Sequence, residues 1–101
     1  MSFAIIGTGS AVPDCVKTNE ELSRIIDTSD EWIIARTGIR ERRVCTSETL
    51  SDLAASAAGA ALENAGVQAS ELDLIIGSVV RGDYYTPSMS CVVQERIGAR
   101  C

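Results

Sequence analysis

The chain has 101 residues, 46% of them apolar, with nine basic and fourteen acidic side chains and a formal charge of −5. That apolar content suits one folded domain or part of one and excludes a disordered chain. The acidic balance argues against non-specific nucleic-acid binding, and no apolar run approaches the roughly 20 residues of a membrane helix.

Met1 leads into Ser2-Phe3-Ala4-Ile5-Ile6 with no basic stretch ahead of it, so no secretory signal is read and a cytoplasmic location is expected. Phe3 to Ser10 then reads as a buried first strand entering a Gly-rich turn that Pro13 ends. Gly7-x-Gly9 is not a dinucleotide fingerprint, because Val12 and Pro13 stand where the third glycine and the helix should be. Close approach between neighbouring strands is the expected role of these glycines. Thr18 or Asn19 caps a short helix, Glu20 to Ile26, with Leu22, Ile25 and Ile26 on its apolar side.

The most informative stretch follows, Asp27 to Arg40. Ser29 suits an N-cap, Asp30 and Glu31 suit the positive end of the helix dipole, and Gly38 suits the stop. Trp32 and Arg36 are four apart and so share a helix face. The indole is either a core anchor or, with the guanidinium, a platform for a ligand that carries an aromatic ring and a phosphate. Arg36, Arg40, Arg42 and Arg43 fall within eight positions of an acidic chain. Such a cluster is expected to attract an anion rather than to stabilise the fold.

Ile39 to Cys45 reads as a short charged strand or an extended arm. A long helix runs from the Thr49 cap, with Asp52 in a loose capping box, to the Gly66 stop. Its apolar face is mostly alanine, which fits close packing against a large neighbour. Leu72 to Val80 is a near-continuous apolar run, as in a central parallel strand covered on both faces. A last helix is expected with Thr86 at the N-cap and Pro87 at its first position, ending at Gly98.

Cys15, Cys45, Cys91 and Cys101 contain no CxxC pair, and histidine is absent. No metal site is expected, and the cysteines read as reduced, mostly buried thiols, Cys91 among them. Without histidine, no Ser-His or Cys-His pair can be assembled from these residues alone. The order of elements is that of an α/β layered fold, and it looks unfinished, because so few strands cannot cover these helices.

The phrases Ile6-Gly7-Thr8-Gly9-Ser10, Asp27 to Ile33, Arg36 to Arg42 and Thr86-Pro87-Ser88 resemble the opening of β-ketoacyl-acyl carrier protein synthase III. The resemblance covers essentially the whole chain and about the first third of a complete enzyme. It implies a thiolase-like α/β/α/β/α fold, of which residues 1–101 are an N-terminal part with a helical insertion at about 18–45 and no separate second domain.

It also implies an acyltransferase that starts fatty-acid synthesis, condensing an acyl-CoA primer with malonyl-acyl carrier protein through a Cys-His-Asn triad. That enzyme has coenzyme A thioester as substrate, no prosthetic group, and works as a homodimer; the rest of it is expected in further residues or another chain. Carried onto this sequence, the resemblance makes Trp32 stack on the adenine and Thr28 bond the base. Arg36 would contact the phosphates, with Thr37 as a lesser contact, and Thr86 would lie in the loop that closes the acyl channel at the dimer surface. No catalytic residue is expected within the chain; the reactive cysteine would lie beyond Cys101. The alternatives are a related thiolase-fold synthase of polyketide or other secondary metabolism and a non-catalytic module that binds coenzyme A or acyl carrier protein.

Overall fold

The computed structural model describes residues 2–100. The chain forms two compact units, Val12–Ser47 and the segments that flank it in sequence. Cys101 lies outside the described residues.

In the first unit, β1 (Val16–Thr18) pairs antiparallel with β2 (Glu41–Arg43), Val16 opposite Arg43 and Thr18 opposite Glu41. The charged strand expected near residues 39–45 is therefore present, and its partner is a three-residue strand that the sequence pattern did not reveal. Helix α1 (Asn19–Ser23) starts from Thr18, whose hydroxyl accepts the Glu21 N–H at 3.2 Å while the Glu21 carboxylate accepts the Thr18 N–H at 3.0 Å. Of the two candidate caps, Thr18 is the cap and Asn19 is inside the helix. The helix also ends three residues earlier than expected. The N–H groups of Ile25 and Ile26 both turn back to the Leu22 carbonyl, and both side chains are exposed rather than on a buried face.

Helix α2 (Asp30–Thr37) forms as its caps require: the Ser29 hydroxyl accepts the Trp32 N–H at 3.2 Å, and Gly38 takes the left-handed conformation, φ 72°. Ile33 is its buried apolar residue.

The second unit holds α3 (Leu50–Ala65) and α4 (Met89–Ile97), which pack against each other. Thr49 and Asp52 form a reciprocal capping box on α3, and Gly66 ends it in the left-handed conformation. The Asp83 carboxylate accepts the N–H groups of Leu50 and Ser51 at 3.2 and 2.7 Å, and Arg96 on α4 pairs with Asp52. Three orphan donors of α3 are thus satisfied by side chains.

Helix α4 starts later than expected. Ser88, not Thr86, is its N-cap, taking the Cys91 N–H, and Pro87 precedes the helix. Cys91 is exposed, contrary to the expectation of a buried thiol, and accepts the Ser88 hydroxyl at 3.3 Å. Cys45 is exposed too, and Cys15 half-buried.

The two expected strands of this unit, Phe3 to Ser10 and Leu72 to Val80, do not form. Among the described residues neither makes a backbone ladder, and a strand exists only through one. Their apolar side chains are uncovered: Phe3 is 93% exposed and Ile76 84%. Each segment instead lies against a helix. A Cβ on Gly7 or Gly9 would strike the backbone of α3 around Ala57, Ala61 and Ala65, and one on Gly77 would strike Ser90 of α4. The close approach expected of Gly7 and Gly9 is real, but its partner is a helix rather than a strand. The alanine face of α3 is what admits that approach.

The chain exposes 7883 Å², whereas a folded monomer of this mass exposes about 5,500 Å². Exposed apolar side chains, among them Phe3, Ile5, Ile76, Val80 and Tyr85, contribute to the excess.

Acid is expected to act on the start of α3. Thr49, through hydroxyl and amide, and then Arg96 hold the Asp52 carboxyl down at about 2 instead of 3.8. Ser51 and the Leu50 amide lower Asp83 in the same way. Both pKa values are depressed in the fold, so the stability they contribute is complete above the ordinary carboxylate range and is lost as pH falls through the depressed values. Far-UV ellipticity followed from pH 5 downward should show loss of helix starting below about pH 4. The Asp52→Asn variant, whose side chain cannot titrate, should have a flatter profile.

Candidate nucleotide-binding site

Helix α2 turns about 100° per residue, so Asp30, Ile33, Ile34 and Thr37 share one side. These are buried or half-buried, apart from Thr37, the last residue of the helix, which is exposed. Trp32 and Arg36 project from the other side. Trp32 is 53% exposed, and the Arg36 guanidinium carbon lies 4.2 Å from the centre of its ring. Within these residues the indole is not packed into a core. A cation over an indole at this distance is attracted by the ring quadrupole, and it holds the guanidinium in place while leaving its edge N–H groups for an anion.

Beside the indole is an open concavity of roughly 550 Å³, walled by Ile26, Asp27, Thr28, Ser29 and Trp32. Arg36 is not part of that wall. Thr28 is half-buried there, and its hydroxyl makes no hydrogen bond among the described residues. Ile26 and Asp27 belong to the wall although helical periodicity assigned Ile26 to a buried helix face. The early end of α1 frees them, and the Thr18-x-x-Glu21 box was the signal that the helix starts one residue sooner.

Thr37 is engaged in ending α2: its hydroxyl donates to the Ile33 carbonyl at 2.7 Å and accepts the Ile39 N–H at 3.0 Å. In this conformation it has no proton left for a phosphate oxygen. Thr86 belongs to the second unit, exposed in the loop before α4.

The arginine cluster divides. Arg42 donates to the Asn19 side chain at 2.7 Å, and Arg43 to the carbonyls of Pro13 and Asp14 at 3.3 and 3.4 Å. These two brace the small sheet, which corrects the expectation that the whole cluster serves an anion. Arg36 and Arg40 remain exposed. Among the described residues no group of three His, Cys, Asp or Glu side chains is placed to hold a metal, and no helix is long and apolar enough to cross a membrane.

No protein-family profile matches the chain. A curated relative, β-ketoacyl-[acyl-carrier-protein] synthase III of Clostridium acetobutylicum, is 54% identical over 99 residues, which is 98% of this chain and 30% of the relative. Among solved structures, 3-oxoacyl-[acyl-carrier-protein] synthase III of Aquifex aeolicus is 47% identical with a TM-score of 0.90, covering 93% of this chain and 30% of that one. The chain matches the β-ketoacyl-[acyl-carrier-protein] synthase III family.

The priming β-ketosynthase of the R1128 polyketide pathway is also similar, 36% identical with a TM-score of 0.89 over 95% of this chain and 30% of that one. The chain spans about 30% of the length of these synthase III relatives, and its fold is the corresponding α/β part of the thiolase-like architecture. The layered class expected from the residues holds at that level, although the two segments expected as strands have no ladder in this chain.

Proposed function

We propose that this synthase III-type segment supplies the nucleotide end of an acyl-coenzyme A site. The observation that carries the reading is the exposed Trp32, which lines an open concavity and carries the Arg36 guanidinium against its ring. Adenine stacks on the indole within the concavity, where the Thr28 hydroxyl meets the edge of the base. Asp27 stands in the same wall, and its carboxylate suits an exocyclic amine while repelling phosphate. The phosphates therefore run outward to Arg36, with Arg40 next along the chain. Thr37 contributes through the end of α2 rather than as a donor.

The whole protein is then an acyltransferase that starts fatty-acid synthesis. A cysteine thiolate takes the acyl group from coenzyme A and condenses it with malonyl-acyl carrier protein, with release of carbon dioxide. Histidine and asparagine stabilise the developing negative charge. A Cys-His-Asn set needs a histidine that these 101 residues do not contain, so the chemistry belongs to other residues. The enzyme is a cytoplasmic homodimer, uses coenzyme A thioester as substrate and needs no prosthetic group. Its remaining layers cover the apolar segments around residues 3–12 and 74–85. Thr86, small for an acyl-channel loop, leaves room for a longer or branched primer. That, with the likeness to a polyketide priming synthase, favours secondary metabolism as the second reading.

Trp32 is the sole tryptophan of the chain, so its fluorescence reports the site directly. Coenzyme A and adenosine 3′,5′-bisphosphate should both perturb it saturably, and pantetheine, which lacks the nucleotide, should not. A response to pantetheine equal to that of coenzyme A would overturn the assignment.

A further inference from the structure

Helix α2 has little apolar burial to hold it. In the unit Val12–Ser47, Pro13 and Ile33 are the apolar residues buried among the described residues, and the most buried polar one is Asn19, 1% exposed. A buried amide is tolerated only where its donors and acceptor are matched, and here they are. Asn19 Nδ2 donates to Asp30 Oδ1 and to the Ile39 carbonyl, both at 2.8 Å, while its Oδ1 accepts from Arg42 at 2.7 Å. The Asn19 backbone N–H adds a bond to the Arg40 carbonyl at 3.3 Å.

These partners sit at special places. Asp30 is the first residue of α2, and Ile39 follows the glycine that ends it. One side chain therefore grips both ends of the helix from its inner side and ties them to β2 through Arg42. Trp32 and Arg36 project from the opposite side, so they stand where α2 is held.

We infer that Asn19 is a positioning residue, its amide fixing the orientation of α2 and with it the Trp32–Arg36 pair. The consequence for a ligand rests on the nucleotide reading above; the consequence for Trp32 does not. Asn19→Asp keeps the size and the Arg42 contact but replaces both donated bonds with a carboxylate facing Asp30 and a carbonyl. Exchanging the pair, Asn19→Asp with Asp30→Asn, restores a donor and an acceptor between the two positions.

The test measures acrylamide quenching of Trp32 and affinity for coenzyme A on the full chain. Asn19→Asp should change the quenching constant and weaken coenzyme A binding about tenfold, as loss of hydrogen bonds around a charged group implies. The exchanged pair should recover most of both, to within about threefold of the parent. Thr18→Ala, which removes the α1 capping box, should lower the melting temperature yet leave Trp32 quenching unchanged, so that mere destabilisation is told apart from misplacement. If Asn19→Asp does not fold, Asp30→Ala decides, with a smaller change in the same direction expected. Unchanged quenching in the folded variant overturns the inference. A parent chain that ignores coenzyme A while Asn19→Asp still alters Trp32 quenching supports the positioning role and overturns the nucleotide reading alone.

Discussion

Replacing Trp32 with alanine is expected to weaken coenzyme A binding by one to two orders of magnitude. Stacking of a base on an aromatic side chain is worth about 1–3 kcal/mol, and about 1.4 kcal/mol corresponds to a factor of ten in affinity. The indole is already exposed and open on the concavity side, so a base need not displace packed residues to reach it. Arg36→Ala should have a comparable effect, because a hydrogen bond to a charged group contributes about 1.5–3 kcal/mol.

The two losses should differ in their response to salt. Removing Arg36 removes a charge and should reduce the ionic-strength dependence of binding, whereas removing Trp32 should leave it in place. Arg36→Lys keeps the charge but loses the planar stack over the indole, so it should fall between the parent and Arg36→Ala. Titration calorimetry with coenzyme A at two salt concentrations checks all three. Affinity of Trp32→Ala within a factor of two of the parent would remove the basis for the site.

The parts of the fold legible in sequence were those set by local chemistry. Ser29, Gly38, Thr49 and Gly66 mark helix ends by satisfying orphan backbone groups or by accepting positive φ, and each does so in the structure. Gly98 ends α4 for the same reason. Thr86 and Ser88 could each cap a helix, and only the position of the first helical turn decides between them. The apolar runs at residues 3–10 and 72–80 have the composition of strands, but a strand is a relation between segments, and composition does not provide the ladder. The three-residue strand Val16–Thr18 carried no apolar pattern to read and is defined by its partner alone.

The site divides along the same line. The spacing of Trp32 and Arg36 put them on one helix face, and the stacked geometry follows from it. Arg42 and Arg43 were indistinguishable from Arg36 and Arg40 by sequence, because what occupies them lies about 20 to 30 residues away, at Asn19 and Pro13. Asn19 read as a possible helix cap; its buried role depends on Asp30, Ile39 and Arg42 converging on it. Thus the Trp32–Arg36 pair was visible and the network that holds its helix was not.

Gly9→Ala is expected to cause a large loss of stability, and Gly59→Ala a gain. A Cβ at Gly9 would lie closer than 3.0 Å to the Ala57 carbonyl oxygen, the Ala61 nitrogen and the Ala60 carbonyl carbon, all helix backbone. No side chain there can turn aside, so either α3 or the segment before it must move. Overpacking of this kind costs about 1–3 kcal/mol. The segment is also tied to α3 by the Thr8 N–H bonded to Asn64 Oδ1 at 3.1 Å, which the displacement would strain. A Cβ at Gly59, by contrast, meets nothing within 4 Å, and that residue lies in the middle of α3. Alanine there restricts the unfolded chain and favours helix by about 0.5–1 kcal/mol. At about 4–8 °C per kcal/mol for a domain of this size, thermal denaturation should separate the two variants by roughly 6 °C or more. Equal melting temperatures would show that the segment carrying Gly9 does not rest on α3, and the alanine face of that helix would then need another partner.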